Sequence, residues 1–554
     1  MKHKELIFLP LGGCREIGMN LNAYAFGTPA DRRWILVDVG VTFGGPDTPG
    51  IDLIMPDPSF LETERDRIEA IILTHAHEDH IGAIAHLWPR FQVPVYATAF
   101  TAYLVQDKLK EQGLERDVEM RLAVPGEVYK VGPFEFEYIH LTHSIPEPHG
   151  LMIKTPAGVI FHTGDWKIDP NPMIGDDFDI ERVKKLGDDG VLAMVCDSTN
   201  VFEEGESGSE STVREELIRV VGEQTGRVAI TTFASNVARL ASCCEAAKEN
   251  GRSVALVGRS MFRITGAAEA VGLLKGVNFI EAEEAKHLPP DKVLYLCTGS
   301  QGEARAALSR IARGDHPHAE LGEGDTILFS SRVIPGNERG IFDLQNALAE
   351  KGVKVITDRQ RPIHVSGHPC RDELKRMYQW ARPKIAVPVH GERRHLAEHA
   401  RLARTLQVNE TVTPNNGEIV RLWPGEAEII DEVPSGRLYL DGNRLTPENA
   451  GGLSERKRLS FNGHVSVTVA LDARGRVKDG PYVNVRGFSE SDGRLADESL
   501  EALDDAADAA IGRVASKDLN DDEKIEKMLM RAVKRSAEAT FGKRPIVDVT
   551  VLRV

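Results

Sequence analysis

Short apolar runs, bounded by glycine, proline and charged residues, recur along the first 200 positions of the chain. They include WILVDVG at 34–40, IEAIILT at 68–74, FEFEYIHLT at 134–142, GVIFHTGD at 158–165 and VLAMVCDSTN at 191–200. Their length and nearly continuous apolar character are typical of buried β-strands. The pattern predicts a sandwich-like sheet architecture here, and several of the predicted strands end in His or Asp.

The pattern changes after a polar, glycine-containing stretch at 202–217. Apolar runs such as RVAITTF at 227–233 and SVALVG at 253–258 then alternate with helical periods such as NVARLASCCEAAKENG at 236–251. This alternation predicts a parallel α/β domain. The first pattern returns after about residue 360, in PKIAVPVHGERRH at 383–395, as expected if the α/β unit is inserted into the first domain.

These changes predict an α/β protein of several domains. The boundaries are 1–210 for the first part of the sandwich, 211–358 for the inserted domain, 359–435 for the closing part of the sandwich, 436–460 for a linker and 461–554 for a small α+β C-terminal domain. The last domain should contain strands near 463–487, two acidic helices and a final strand at 545–554.

Composition narrows the class of protein. A chain of 554 residues exceeds what one hydrophobic core organises, so we expect several domains. No apolar run approaches the roughly 18 residues of a membrane span, so we expect a cytoplasmic protein. Six cysteines without a CxxC pair predict reduced, buried thiols. The net charge of −16 argues against a protein that coats nucleic acid with a basic face.

The segment HAHEDH at 75–80 concentrates candidate metal ligands between a predicted strand and a predicted helix. Imidazole and carboxylate groups are ligands that Zn²⁺ and Mn²⁺ accept, and H-x-H followed by D-H can serve two adjacent ions. Further candidates follow other apolar strands, in LTHS, HTGD and VPVHGE. The full candidate set is His75, His77, Asp79, His80, His143, Asp165 and His390.

The order HAHEDH, THS, GD, α/β insert and PVHGE resembles the β-CASP nucleases of the metallo-β-lactamase superfamily. The segments TTFASN, GRSM and CTGSQGE and the small C-terminal domain resemble the ribonuclease J family in particular. The resemblance covers nearly the whole chain. It implies a metallo-β-lactamase αββα sandwich at 1–210 and 359–435 and a β-CASP domain at 211–358.

The resemblance also implies which ligands would bind each of two metal ions. His75, His77 and His143 would hold one divalent ion, Asp79, His80 and His390 a second, and Asp165 would bridge the two. Zn²⁺ is the first choice for both ions, with Mn²⁺ or Mg²⁺ as alternatives. By the same analogy, Asp38 in LVDVG would hydrogen-bond a ligand imidazole.

Two further motif residues are implied outside the ligand set, Asp197 in CDSTN and His368 in HVSGH. His368, oriented by Asp197, is the candidate general acid for the departing oxygen. Together with Asp79 of the ligand set, these two residues make up the candidate catalytic residues, Asp79, Asp197 and His368.

Backbone amides between two imidazoles make HVSGH a candidate phosphate cradle, and the resemblance implies that it grips the substrate together with FASN. The candidate substrate-binding residues are Phe233, Ser235, Asn236, His364, Val365, Ser366, Gly367 and His368.

The function implied is a metal-dependent ribonuclease that binds single-stranded RNA. It would act as a 5′-to-3′ exonuclease preferring 5′-monophosphate RNA, with endonuclease activity, in RNA maturation and mRNA decay. We expect a homodimer or homotetramer, assisted by the C-terminal domain, and no membrane partner. The metal, the balance of exonuclease and endonuclease activity and the RNA targets stay open.

Three alternatives compete. A DNA-directed β-CASP nuclease is the nearest, because no motif here reads the 2′-hydroxyl. A small-molecule metallo-hydrolase would not need the insert, and a noncatalytic RNA-binding subunit would be expected to have lost ligands.

Overall fold

The computed structural model describes residues 4–488 and 497–554. The chain divides into two compact units. The larger comprises Met1–Thr42 and Ile54–Leu438, and the smaller comprises Phe43–Leu53 and Tyr439–Val554.

The chain up to residue 200 is rich in strands. These are β1 Glu5–Gly12, β2 Cys14–Arg15, β3 Leu21–Gly27, β4 Arg33–Val37, β5 Thr42–Phe43, β6 Leu53–Pro56, β7 Ile68–Ile72, β8 Val95–Ala97, β9 Met120–Leu122, β10 Val128–Val131, β11 Phe134–His140, β12 His149–Thr155, β13 Gly158–His162 and β14 Ala193–Asp197. The helices are α1 Ser59–Thr63, α2 Glu78–Ile81, α3 Ile84–Phe91, α4 Ala99–Glu111 and α5 Ile180–Asp189.

Strands and helices then alternate through the insert. The helices are α6 Glu210–Gly222, α7 Val237–Glu249, α8 Arg259–Ala270, α9 Ala282–Ala285, α10 Ala307–Arg313 and α11 Glu338–Glu350, and the strands are β15 Val228–Thr231, β16 Ser253–Val257, β17 Phe279–Ile280, β18 Val293–Cys297, β19 Thr326–Phe329 and β20 Lys354–Thr357. The strands form one parallel sheet in the order β17-β16-β18-β15-β19-β20, as the alternating pattern predicts.

The chain then returns to the sandwich. This part contains α12 Arg371–Ala381, β21 Ile385–Val389, β22 Gly391–Glu392, α13 Arg393–Thr405, β23 Glu410–Thr411, β24 Glu418–Trp423 and β25 Glu428–Glu432. Strand β24 pairs with β1, and β21 pairs with β14, so residues far apart in sequence complete both sheets.

Two sheets pack face to face around the main core. Their orders are β25-β24-β1-β3-β4-β7-β8-β9 and β10-β11-β12-β13-β14-β21-β23. Buried side chains from both sheets, including Phe8, Tyr24, Phe136 and Val195, form one cluster. On the outer face of the second sheet, Val183 of α5 and residues of α12 make another apolar cluster, so a helical layer covers that sheet. The predicted αββα class is confirmed.

Parallel pairing explains where the polar strand ends meet. Strand β14 runs parallel to both β13 and β21, with Asp197 opposite Val389. In the other sheet β4 runs parallel to β7. The carboxyl ends of parallel strands lie at one edge of a sheet, so the loops after these strands converge.

The smaller unit contains the C-terminal α+β fold. Its strands β28 His464–Leu471, β29 Val477–Arg486 and β30 Ile546–Arg553 form a sheet in the order β29-β28-β30, accompanied by helices α15 Asp497–Ile511 and α16 Asp522–Phe541. Valines of β28 pack with Leu503, Leu529 and Val533 from the two helices. The strands and the two acidic helices were predicted.

The segment 436–460 differs from the expected linker. It forms β26 Arg437–Asp441, β27 Arg444–Pro447 and the first part of helix α14 Gly451–Asn462. The two strands are adjacent in one sheet and are joined at Gly442, whose φ of 60° suits a tight hairpin turn. The Asp-Gly dipeptide between short apolar positions was the signal of a hairpin rather than a linker.

Two predictions from composition can also be compared with the structure. All six cysteines are free and buried, as the absence of a CxxC pair predicted. Among the helices of the described residues, none combines the length and apolarity needed to cross a membrane.

Candidate metal centre

The structure brings all seven predicted metal ligands to one edge of the sandwich. They form two groups that share Asp165, with all ligand atoms of a group lying within 4.8 Å of one another, and Asp165 and His390 also form a third such group with Asp197 and His368. The first group is His75, His77, His143 and Asp165, and the second is Asp79, His80, Asp165 and His390. Each residue follows the end of a buried strand or belongs to the short helix after β7.

A separate helical turn, α2, precedes the helix that the sequence predicts after HAHEDH. Asp79 and His80 were expected on a loop, but both belong to the single turn α2, with His77 at its N-cap. The turn places the side chains of Asp79 and His80 beside Asp165, because the backbone N–H groups of His80 and Ile81 donate to the His77 carbonyl.

In the first group three imidazoles face one another. Nδ1 of His77 lies 3.2 Å from Nε2 of His75 and 3.0 Å from Nε2 of His143. Burial lowers the pKa of all three, and that of His77 to about 4, so these rings are neutral at pH 7. Converging unprotonated nitrogens beside a carboxylate are the donor set that a divalent transition metal requires.

The second group is richer in carboxylate. Nε2 of His80 lies 3.2 Å from Asp165 Oδ2, and Nε2 of His390 lies 3.2 Å from Asp79 Oδ2. Burial lowers the pKa of His80 and His390, but the surrounding carboxylates, of which Asp165 contributes most, together raise both pKa values to well above the usual value. A metal ion must displace the proton from each of these imidazoles. Metal affinity at this group should therefore decrease as the pH is lowered.

Asp38 makes the contact expected of it. Its Oδ2 lies 2.7 Å from Nδ1 of His80, and its Oδ1 accepts a hydrogen bond from the backbone N–H of Thr74 at 2.8 Å. Since the carboxylate accepts the Nδ1 proton, Nε2 of His80 is the nitrogen left to bind an ion beside Asp165. Asp38 is completely buried, and its φ of 64° is unusual for a residue with a side chain.

His390 has a similarly unusual backbone. Its φ is 51°, and its N–H donates to the carbonyl of Gly13 at 2.6 Å. Left-handed backbone at a non-glycine residue persists where the surroundings impose it, and such residues concentrate at functional sites.

Asp197 and His368 form an acid–imidazole pair beside the two groups. Nδ1 of His368 donates to Asp197 Oδ2 at 2.7 Å, and Thr199 donates twice to the other carboxylate oxygen. Burial lowers the pKa of His368, but Asp197 and Asp165 together raise it above its usual value, which favours a protonated ring. Asp197 is fully buried, whereas the side chain of His368 is 23% exposed and so remains accessible to a substrate.

The segment 364–368 is anchored near its C-terminal end. His143 Nδ1 donates to the Gly367 carbonyl, and Asn200 donates to Ser366 Oγ at 2.7 Å. A Cβ atom at Gly367 would come within 2.8 Å of Cε1 of His143, so this close approach requires glycine. The segment therefore packs directly against a predicted metal ligand.

The predicted FASN residues lie nearby but are not equally accessible. Phe233 and Ser235 are partly exposed, whereas Asn236 is buried and caps α7 by accepting the N–H of Arg239. A cavity of about 90 Å³ is lined by both His143 and Asn236. Asn236 thus has a structural contact that its motif did not reveal, and direct binding of substrate by these residues stays a prediction.

Sequence reasoning missed several residues that support the site. Thr199 and Asn200 lie within the CDSTN motif, yet only the aspartate was assigned a role. Arg239, three residues after the motif asparagine, contacts His364. A helical arginine carries no sequence signal of burial, so this contact could not have been read from the pattern.

Four family matches cover most of the chain. Residues 19–194 match the metallo-beta-lactamase superfamily and residues 225–348 the "Ribonuclease J, beta-CASP domain". Residues 352–414 match the "Zn-dependent metallo-hydrolase RNA specificity domain", and 451–554 the "Ribonuclease J C-terminal domain". With the site above, these matches define a metal-dependent hydrolytic nuclease built on the metallo-β-lactamase fold.

Full-length relatives narrow the class. The chain is 47% identical to Ribonuclease J of Sinorhizobium meliloti, over 100% of this chain and 98% of that protein. It is 38% identical to Ribonuclease J of Mycobacterium tuberculosis (98% and 96% covered) and 37% identical to that of Thermus thermophilus (90% and 88% covered). The chain belongs to the ribonuclease J family.

A more distant solved structure agrees on the fold alone. It is a protein of unknown function from Enterococcus faecalis, 18% identical, with a TM-score of 0.52, covering 75% of this chain and all of that one.

Proposed function

We propose that the protein is a two-metal ribonuclease that degrades single-stranded RNA from its 5′ end and also cuts internally. The observation that carries the proposal is the sharing of Asp165 by two ligand groups, which suits two adjacent ions. Zn²⁺ is our first choice because imidazoles dominate the first group, with Mn²⁺ or Mg²⁺ as alternatives.

The ions, when bound, supply Lewis acidity that activates water and neutralises charge on the phosphoryl oxygens. The chain's own groups supply the remaining functions. Asp79 and Asp165 would hold the ions, and the segment 364–368 positions the phosphate next to the scissile one. His368, oriented by Asp197, delivers a proton to the departing 3′-oxygen, which leaves a 5′-phosphate on the product.

RNA is the favoured substrate class. The relatives are named ribonucleases, and the family match at 352–414, which includes HVSGH, is described as an RNA specificity domain. Neither observation favours DNA or a small molecule. Acting on 5′-monophosphate ends, the enzyme would serve RNA maturation and mRNA decay in the cytoplasm.

Assembly through the C-terminal domain belongs to the same proposal. In the described part of this domain, strands β29 and β30 are the outer strands of the sheet. Tyr482 is 62% exposed on β29, and Leu552 is 47% exposed on β30. Apolar side chains on outer strands suit a second copy of the chain, consistent with a homodimer or homotetramer.

The metal centre is tested by counting ions. We expect about two ions per wild-type chain and loss of both with all cleavage in Asp165→Ala, which removes the shared ligand. Circular dichroism should show that the variant stays folded. Full activity of extensively chelated wild-type enzyme, with its metal content measured, would contradict the mechanism.

A further inference from the structure

A completely buried arginine in the β-CASP insert contacts the segment that we assign to phosphate binding. Arg239 lies in the first turn of α7 and has no exposed surface. Its Nη1 donates to the carbonyl and hydroxyl oxygens of Ser330, at 2.8 and 2.7 Å, and to the carbonyl of Ile363 at 3.3 Å. One guanidinium thus joins α7, the end of β19 and the start of HVSGH.

The charge of Arg239 is balanced by a single buried acid. Glu210, at the start of α6, accepts two hydrogen bonds from the guanidinium, at 2.9 and 2.8 Å. Asn236 donates to the same carboxylate at 3.1 Å. A paired, two-pronged contact of this kind fixes orientation as well as charge. The FASN turn and the HVSGH segment are therefore tied to one ion pair.

The same arginine constrains the protonation of His364. Its Nη1 lies 3.4 Å from Nδ1 of His364. A guanidinium has donors and a positive charge but no acceptor, so its position favours an unprotonated Nδ1 and a ring proton on Nε2. Burial and the neighbouring Arg239 lower the pKa of His364 to about 3, which keeps the ring neutral.

The proton on Nε2 is free for a ligand. Within residues 4–488 and 497–554, Nε2 of His364 has no hydrogen-bond partner, and the residue is partly exposed. The other end of the segment is held separately, by His143 at Gly367 and by Asp197 at His368.

We propose that Arg239 is a positioning residue for the 5′ end of RNA. Together with Glu210 it holds His364 as a neutral imidazole whose Nε2–H donates to an oxygen of the 5′-phosphate. It also sets the spacing between that contact and the general acid His368. The inference rests on the proposed ribonuclease function.

The test compares two buried arginines of the same insert in the full-length enzyme. Arg252 is also buried but donates to backbone carbonyls of Gln224, Gly226 and Val293, at the other end of the sheet from HVSGH. The substitutions are Arg239→Lys and Arg252→Lys. The readouts are metal content, melting temperature, and kcat/KM on 5′-monophosphate, 5′-hydroxyl and circular RNA.

Arg239→Lys should retain its metal and lose about tenfold or more of the preference for 5′-monophosphate over 5′-hydroxyl RNA, since one charge-assisted contact is misplaced. Arg252→Lys should keep the preference for 5′-monophosphate RNA even if its melting temperature falls as much as that of Arg239→Lys. An unchanged preference in Arg239→Lys, or an equal loss in Arg252→Lys, would overturn the inference. A wild-type enzyme without the preference would instead overturn the proposed function.

A second comparison tests the assignment of the proton. Glutamine places an amide N–H near the position of Nε2, whereas asparagine places it near Nδ1. His364→Gln should therefore retain most of the 5′-monophosphate preference, and His364→Asn should lose about tenfold or more. The opposite order would mean that Nδ1 is the donor, which would contradict the proposed orientation of His364 by Arg239.

Discussion

Replacing Asp38 with asparagine should test how the second ligand group is oriented. The carboxylate now accepts from the fixed N–H of Thr74 through one oxygen and from Nδ1 of His80 through the other. Asparagine has one oxygen and one N–H₂ group. If the oxygen stays with Thr74, the amide donates to Nδ1 of His80, and the ring proton must move to Nε2. Nε2 then presents a hydrogen, not a lone pair, toward Asp165.

The expected magnitude follows from this geometry. The change alters one ligand of the second group and leaves His75, His77 and His143 untouched. Substituting a residue that orients a metal ligand typically costs about 10- to 100-fold in metal affinity, which corresponds to about 1.4 to 2.7 kcal/mol. Since only the group containing His80 is affected, one of the two ions should bind more weakly and the other should bind as in the wild type.

Metal titration of purified protein, followed by metal analysis and RNA cleavage, measures the effect. Asp38→Asn should need about 10 to 100 times more free metal for half-maximal activity. Glu373→Gln is the matched control. It changes a completely buried carboxylate that accepts hydrogen bonds from the N–H groups of Ile168, Ser207 and Cys370 and, among the described residues, makes none to an imidazole. It should lower stability without changing metal affinity. Equal weakening of both ions in Asp38→Asn, or wild-type affinity for both, would refute the reasoning.

Four further predictions follow from other contacts. His368→Ala should lose on the order of 10² to 10⁴ in rate at wild-type metal content, and a lost ion would instead make His368 a ligand. Glu210→Gln should cost about 3 to 5 kcal/mol in urea unfolding by leaving Arg239 buried and unpaired. Burial raises the pKa of Glu210, but Arg239, with Lys167 and Asn236, lowers it to about 2, so that difference should shrink as pH falls from 4.5 toward 2. A pH-independent difference would contradict the ionic account. Gly367→Ala should displace His143 and weaken metal binding, measured by titration, and unchanged affinity would show that the packing relaxes freely. Truncation after residue 450 should shift sedimentation toward monomer and reduce activity on long RNA more than on a dinucleotide, and an unchanged oligomer would contradict assembly through this domain.

Much of the site could be predicted because its chemistry is concentrated in short segments. HAHEDH places four candidate ligands in six positions, and the remaining three each end an apolar strand. His and Asp residues at such ends interrupt runs of apolar residues, so they are easy to recognise in the sequence. The parallel pairing of β13, β14 and β21 then brings Asp165, Asp197 and His390 together.

Other features depend on tertiary contacts that no local pattern encodes. The left-handed backbone of Asp38 and His390 is imposed by packing, and neither residue type signals it. The ion pair between Glu210 and Arg239 joins positions 29 residues apart, on helices whose sequences read as ordinary amphipathic surfaces. The hairpin around Gly442 was missed for a different reason, because its polar, proline-containing flanks resemble a linker.

End-labelled RNA tests the central claim most directly. One RNA sequence should be prepared with a 5′-monophosphate, a 5′-triphosphate or a 5′-hydroxyl, alongside the matched DNA, and digested with metal-loaded enzyme. We predict that mononucleotides are released from the 5′ end, fastest from the monophosphate RNA, and that the DNA is spared. Degradation from the 3′ end, equal rates on all three RNA ends, or comparable cleavage of the DNA would contradict the account.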